Sequence, residues 1–261
     1  MNRQKWLEYL LPIMMLGIAL AVWEGAVWFY EIQPYVLPAP SLILITLSHD
    51  WRTLFGSLEV TLSITFEALA AAVIGGVALA ILFAQWRLVE RAFFPFAVVM
   101  QVTPIVAIAP LLLIYLSSGA AVLVCAFLVA FFPILANTTL GLSSTDHNLL
   151  DLFQLYRATR WQQLIWLRLP GALPYFLGGL RIGGGLALIG AIVAEIAAGS
   201  AGQGAGLAYR IVESGFRLNI PRMFAALLLI SVAGILIYLL LTAISHALLH
   251  RWHDSARGRE P

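Results

Sequence analysis

The sequence predicts an all-α polytopic membrane protein with about six spanning helices, and three observations carry that prediction. Of its 261 residues, 61% are hydrophobic and 11% are charged, with a mean hydropathy of +0.92. A soluble domain carries about a quarter charged residues, so this apolar surplus cannot all be buried in one water-facing core. The apolar residues also fall into stretches of about 20, the length a helix needs to cross a bilayer. Finally, Cys125 is the single cysteine and Lys5 the single lysine. No intrachain disulfide is possible, which excludes a secreted disulfide scaffold. A Walker loop needs a lysine after its glycines, so the chain does not bind and hydrolyse ATP by that route. The composition also excludes disorder and nucleic-acid binding. Residues 1–261 read as one transmembrane domain.

The first span runs from Leu10 to Tyr30; it is too long for a signal peptide, holds Glu24, and precedes no small-residue cleavage site. The second covers about Leu58 to Phe83 and the third about Phe93 to Leu116. After Ser117, Ser118 and Gly119 comes the fourth, Ala120 to Leu140. The fifth covers Tyr175 to Ala198 and the sixth Pro221 to Leu249. Between the fourth and fifth lies a long connection, residues 142–174. There Leu149, Leu150, Phe153, Tyr156 and Leu164 recur at near-helical spacing among Asp146, Asp151, Arg157 and Arg160. This predicts one or two short amphipathic helices at the membrane surface, packed on lipid or seated on a partner. The connection between the fifth and sixth spans carries Gly199, Gly202, Gly204 and Gly206, which suggests a tight, irregular, re-entrant turn.

Arginine and lysine set the orientation. Arg3, Lys5, Arg87, Arg91, Arg157, Arg160, Arg168, Arg251, Arg257 and Arg259 fall on one side, against Arg52, Arg210, Arg217 and Arg222 on the other. The excess predicts that both termini are cytoplasmic.

Ionisable and polar groups inside spans each need a reason. Glu59 and Glu67, eight residues apart, lie within about 80° of each other on a helix. Glu59 is expected at the outer interface and Glu67 deeper, paired with a polar group on another helix. Arg181 and Glu195 are separated by about 21 Å along a helix and cannot pair. Arg181 is expected near the cytoplasmic end, snorkelling or structurally paired, or else stabilising a departing anion. Gln101, Thr103, Asn137, Thr138 and Thr139 either hydrogen-bond neighbouring helices or line a cavity. Gly178, Gly179, Gly183, Gly184 and Gly185 suit close helix packing. The histidines His49, His147, His246, His250 and His253 form no H-E-x-x-H motif, and neither a catalytic set nor a metal site emerges.

The stretch DLFQLYRATRWQQLIWLRLPGALP, Asp151 to Pro174, resembles the EAA loop of binding-protein-dependent ABC importer permeases. Arg160-Trp161, Leu169-Pro170 and Ala172-Leu173-Pro174 match the branch serving nitrate, sulfonates, taurine and thiamine precursors. LPAPS (Leu37 to Ser41), PIVAIAPLL (Pro104 to Leu112), FFPILANTTLGL (Phe131 to Leu142) and GGLRIGGGLALIGAIVAE (Gly178 to Glu195) resemble further family segments, in family order. Two departures stand out. Glu-Ala-Ala becomes Asp151-Leu152-Phe153, and Arg157 fills the family's glycine position, removing a cheap route to positive φ.

The resemblance implies a type I importer permease of the inner membrane, non-catalytic and acting as a homodimer. Its implied partners are ABC ATPase subunits carrying ATP and Mg, an external solute-binding protein and membrane lipid; the chain itself binds no cofactor. Asp151, Phe153, Tyr156, Arg157, Arg160 and Trp161 become candidate ATPase-coupling residues. Gln101, Thr103, Asn137, Thr139 and Arg181 become candidate pathway residues. An ion-gradient-driven secondary transporter is the alternative, and it would show paired inverted repeats. Among possible cargoes, Pro104 to Leu112 and Pro170 to Tyr175 resemble the thiamine-pyrimidine group.

Overall fold

The computed structural model describes residues 3–199 and 204–250, with side chains from Leu10 onward. Arg251, His253, Arg257, Arg259 and Gly202 lie outside the described residues, as do the side chains of Arg3 and Lys5. Among the described residues every regular element is helical. In chain order they are α1 (Arg3–Phe29), α2 (Pro40–His49), α3 (Trp51–Gln85), α4 (Arg87–Val102), α5 (Ile105–Tyr115) and α6 (Ser118–Ser143). Then follow α7 (His147–Leu155), α8 (Arg160–Gln163), a π-type turn Leu164–Arg168, α9 (Leu169–Ala198), α10 (Leu207–Phe216) and α11 (Ile220–Leu249).

Five helices are long and apolar enough to cross a membrane, and a bent pair makes a sixth if counted as one span. The bent pair corrects the expected third span. Instead of one helix from Phe93 to Leu116, α4 and α5 meet at 100°. Hydropathy cannot see the cause, which is Pro104. Its ring pushes the preceding residue out of the α region, and Thr103 duly sits at φ −72°, ψ 124°.

The fifth span is longer than expected. From Arg160 to Ala198 the chain forms one continuous helical run of 39 residues, with the π-type turn inside it. Pro170 lacks an N–H and crowds the carbonyl four residues back, and a local widening accommodates both.

α3, α6 and α9 form the centre. Leu69, Ala72, Ala130, Ile134, Ala187 and Leu188 meet there, joined by Ile237 and Leu241 from α11. Small residues let α6 and α9 approach closely: a Cβ on Gly179 would lie 2.8 Å from the Pro133 carbonyl, and one on Gly190 2.9 Å from the Ala126 Cα. Gly183 is packed likewise and Gly184 lies against Leu241 and Ile237 of α11, whereas Gly178 and Gly185 face open space. The close-packing expectation therefore holds for three of the five glycines.

Two helices were not expected. α2 begins within the LPAPS segment, with Pro40 in its first turn. α10 occupies 10 residues of the connection read as a glycine turn; before it, Gly199 at φ +56° and Gly204 at φ +118° take turn conformations.

Candidate functional site

The connection between α6 and α9 is built from three local signals. Asp146 caps α7, its Oδ1 accepting from the Asn148 N–H at 2.8 Å. At the other end of α7 the Arg157 N–H donates to the Gln154 carbonyl at 2.8 Å and the Ala158 N–H to the Phe153 carbonyl at 2.9 Å. This bond pair is a Schellman motif, which needs a left-handed residue. Arg157 supplies it at φ +52°. The turn survives the loss of glycine because two backbone bonds hold it. Thr159 and Gln162 then form a capping box that opens α8: Thr159 N–H donates to Gln162 Oε1 at 2.7 Å and Gln162 N–H to Thr159 Oγ1 at 3.3 Å.

α7 buries none of its residues. Leu155 and Tyr156 are each 81% exposed, and Leu152, Asp151, Arg157, Arg160 and Trp161 are also exposed. Phe153 is half-buried. Arg160 is set apart from the α7 residues, because it lines a cavity with Arg87 and Arg168.

The expected pathway residues are spread over α4, α6, α9 and the α4–α5 break. Gln101 and Thr103 are exposed at the α4–α5 break. Thr103 donates to the Val99 carbonyl (2.7 Å), Asn137 to Pro133 (2.8 Å) and Thr138 to Ile134 (2.6 Å). Each thus satisfies itself on its own helix, which corrects the alternative of bonds to neighbouring helices. Thr139 Oγ1 is buried without a partner and lines a cavity shared with Arg168. Arg181 lies near the middle of the 39-residue run, half-buried and without an ion pair among the described residues. The expected structural pairing is therefore not formed among the described residues. Glu67 is exposed and unpaired as well, which corrects the expected partner on another helix. Glu59, Ser63 and Glu67 share one exposed face of α3.

At the α10 end, sequence reasoning located Glu195 but missed its task. Its carboxyl is buried and accepts from Thr61 Oγ1 of α3 at 2.8 Å and from the Ala208 N–H at 3.1 Å. Thr61 Oγ1 in turn accepts from the Leu207 N–H at 2.9 Å. Two helix-end donors of α10 are thereby satisfied from α9 and α3. Gly206 sits against that carboxyl, and a Cβ there would run into it. Arg210 Nε reaches Ser57 Oγ at 3.0 Å and its Nη1 reaches Glu213 at 2.9 Å. Arg217 adds a 3.0 Å ion pair to Glu213, and Arg222 one of 3.2 Å to Asp50.

The helical bundle has a counterpart among solved structures. A chain of an amino acid ABC transporter crystallised with histidines superposes with a TM-score of 0.63 at 18% identity, covering 78% of this chain and 97% of that one. Among curated proteins, the formylaminopyrimidine transport permease protein ThiX of Halalkalibacterium halodurans is 34% identical over 243 residues, 91% of this chain and 94% of that protein. The riboflavin transport system permease protein RibX of Chloroflexus aurantiacus is 32% identical over 262 residues, 98% of this chain and 94% of that protein. Members of this family work with an ATPase and a solute-binding protein. Residues 72–253 match the family of binding-protein-dependent transport system inner membrane components, to which this chain belongs as the membrane-spanning permease subunit of an ABC importer.

Proposed function

We propose that two copies of this chain form the translocation pathway, with α7 and α8 seated on separate ATPase subunits in the cytoplasm. Residues 142–174 are then the coupling loop of a single domain, residues 1–261. Both termini lie on the ATPase side, and ATP and Mg are bound by the partner. The observation that carries this reading is the exposed apolar face of Leu152, Leu155 and Tyr156 on a helix that buries nothing. A rigid short helix with an aromatic anchor suits a protein groove. Asp151 and Arg157 supply charge pairs at its rim, and Trp161 extends the anchor area. Because α8 continues into α9, displacement of the loop reaches the bundle directly.

The cargo is a basic or uncharged heterocycle. The relatives named for formylaminopyrimidine and riboflavin support this. So do the exposed carboxylates Glu59 and Glu67 on α3, which would repel a sulfonate. The pathway assignment of Gln101, Thr103, Asn137, Thr139 and Arg181 remains part of the proposal, with Gln101 and Thr103 the most exposed of them.

The test is co-purification with the ATPase in mild detergent. Tyr156→Asp is expected to lower ATPase recovery by at least tenfold while leaving the yield of this chain unchanged. Unchanged recovery would refute docking through α7.

A further inference from the structure

Where α3 turns into α4, the chain encloses a cavity of about 420 Å³ whose lining includes Trp86, Arg87, Leu88, Arg160, Gln163 and Arg168. Three arginines from two separate segments converge there, and no carboxylate lines the cavity. None of the three makes an ion pair among the described residues. The one hydrogen bond their side chains make among the described residues is long: Arg168 Nη1 donates to the Ala84 carbonyl at 3.4 Å. Glu90, the nearest acid in sequence, lines two adjoining cavities, one with Arg87 and Arg91 and one with Arg87 and Arg168, but makes no ion pair with any of them among the described residues. Three unpaired guanidiniums around one space repel each other, and an anion placed among them removes that repulsion.

The surroundings say what kind of anion fits. Of the lining residues, Leu88 is 81% exposed and Trp86 49%, so the rim carries apolar and aromatic surface. The cavity lies where two membrane-length helices end, at Gln85 and Arg160. A free phosphate uses the guanidiniums but not such a rim. A phospholipid uses both, with its phosphate between the arginines and its glycerol and upper acyl chains along Leu88 and Trp86. Basic pockets between spanning helices bind anionic headgroups in this way.

We propose that this cavity is a binding site for the headgroup of an anionic phospholipid from the leaflet on the α7 side. The bound phosphate ties the α3–α4 turn, through Arg87, to the start of the long α8–α9 run, through Arg160 and Arg168. The site shares α8 with the proposed ATPase contact, but its test needs neither cargo nor ATPase.

The test is native mass spectrometry of the full, delipidated chain in detergent, titrated with dioleoyl phosphatidylglycerol or with dioleoyl phosphatidylcholine. Phosphatidylglycerol should bind at least tenfold more tightly, and millimolar inorganic phosphate should not displace it. Arg87→Ala with Arg168→Ala should weaken phosphatidylglycerol by about 25-fold, each arginine contributing about fivefold. The double lysine variant should retain most of the binding, and Arg52→Ala, at the opposite end of α3, should retain all of it. Equal retention of the two lipids by the unaltered chain would overturn the proposal without recourse to any variant. Displacement by inorganic phosphate alone would reassign the cavity to free anions, and stoichiometric displacement by the ATPase would reassign it to a protein interface. Either result overturns the lipid site.

Discussion

Two glutamates do the same work at distant places in this chain. Ala39 and Gly206, the residues preceding α2 and α10, have no side chain able to cap a helix. In each case a carboxyl from another helix accepts the second N–H of the helix. Glu24 of α1 takes the Ser41 N–H at 3.0 Å and the Ser41 hydroxyl at 2.6 Å, while Glu195 of α9 takes the Ala208 N–H. A carboxyl near a helix N-terminus also meets the positive end of the helix dipole. Arg157 is the opposite case, a residue that works against its own preference. An L-residue in the left-handed region costs about 1–2 kcal/mol, and glycine avoids that cost. Arg157→Gly is therefore expected to stabilise the isolated chain by about 1 kcal/mol, less whatever glycine adds to the freedom of the unfolded chain. The check is the thermal unfolding midpoint in detergent, where an unchanged or lower value would contradict this account.

Among the elements, α10 rests on charge as much as on packing. The Glu213 carboxyl lies below its ordinary value of 4.5, held there chiefly by its hydrogen bond with Arg210 and secondarily by the Arg210, Arg217 and Arg222 charges. A depressed carboxyl contributes stability that is complete above its ordinary value and is lost as pH falls through its lower folded value. The unaltered chain should therefore melt above Glu213→Gln at pH 6 and lose that advantage as the pH drops below about 4. A gap that stays constant over that range would rule the ion pairs out as its source. The spans at Leu10–Phe29, Ser118–Ser143 and Ile220–Leu249 were legible in the sequence, because long apolar runs have no other stable form in lipid. The α4–α5 break was not, since Pro104 acts through backbone sterics that hydropathy does not register. Neither was α10's anchorage: Thr61 and Glu195 are 134 residues apart, and nothing local pairs them. In the connection between α6 and α9, apolar spacing foretold α7, whereas the caps at Asp146 and Thr159 emerged only with the geometry.

Across the whole molecule, the unpaired charges mark where water must reach. Ala68, the residue after Glu67, packs with Cys125 and Ala191, both well inside their helices. Glu67 is therefore an exposed carboxyl at span depth, and lipid is a costly neighbour for it. In a Cys125→Ala background, Glu67→Cys is expected to react with a membrane-impermeant maleimide in the assembled importer, and Leu236→Cys on α11 to stay unlabelled. Protection of the cysteine at 67 would remove α3 from the aqueous path. The unbroken helix from Arg160 to Ala198 has a mechanical meaning of its own. If it tilts as a rigid body with Gly183, one of its close contacts with α6, as fulcrum, α8 lies at one tip and Glu195 close to the other. A tilt of about 10° about that fulcrum swings the Ala198 tip by about 4 Å, over an arm of about 22 Å. Glu195 holds α10 by its first turn, so α10 would be carried along, and a push on one face of the membrane would register on the other without any intermediate part.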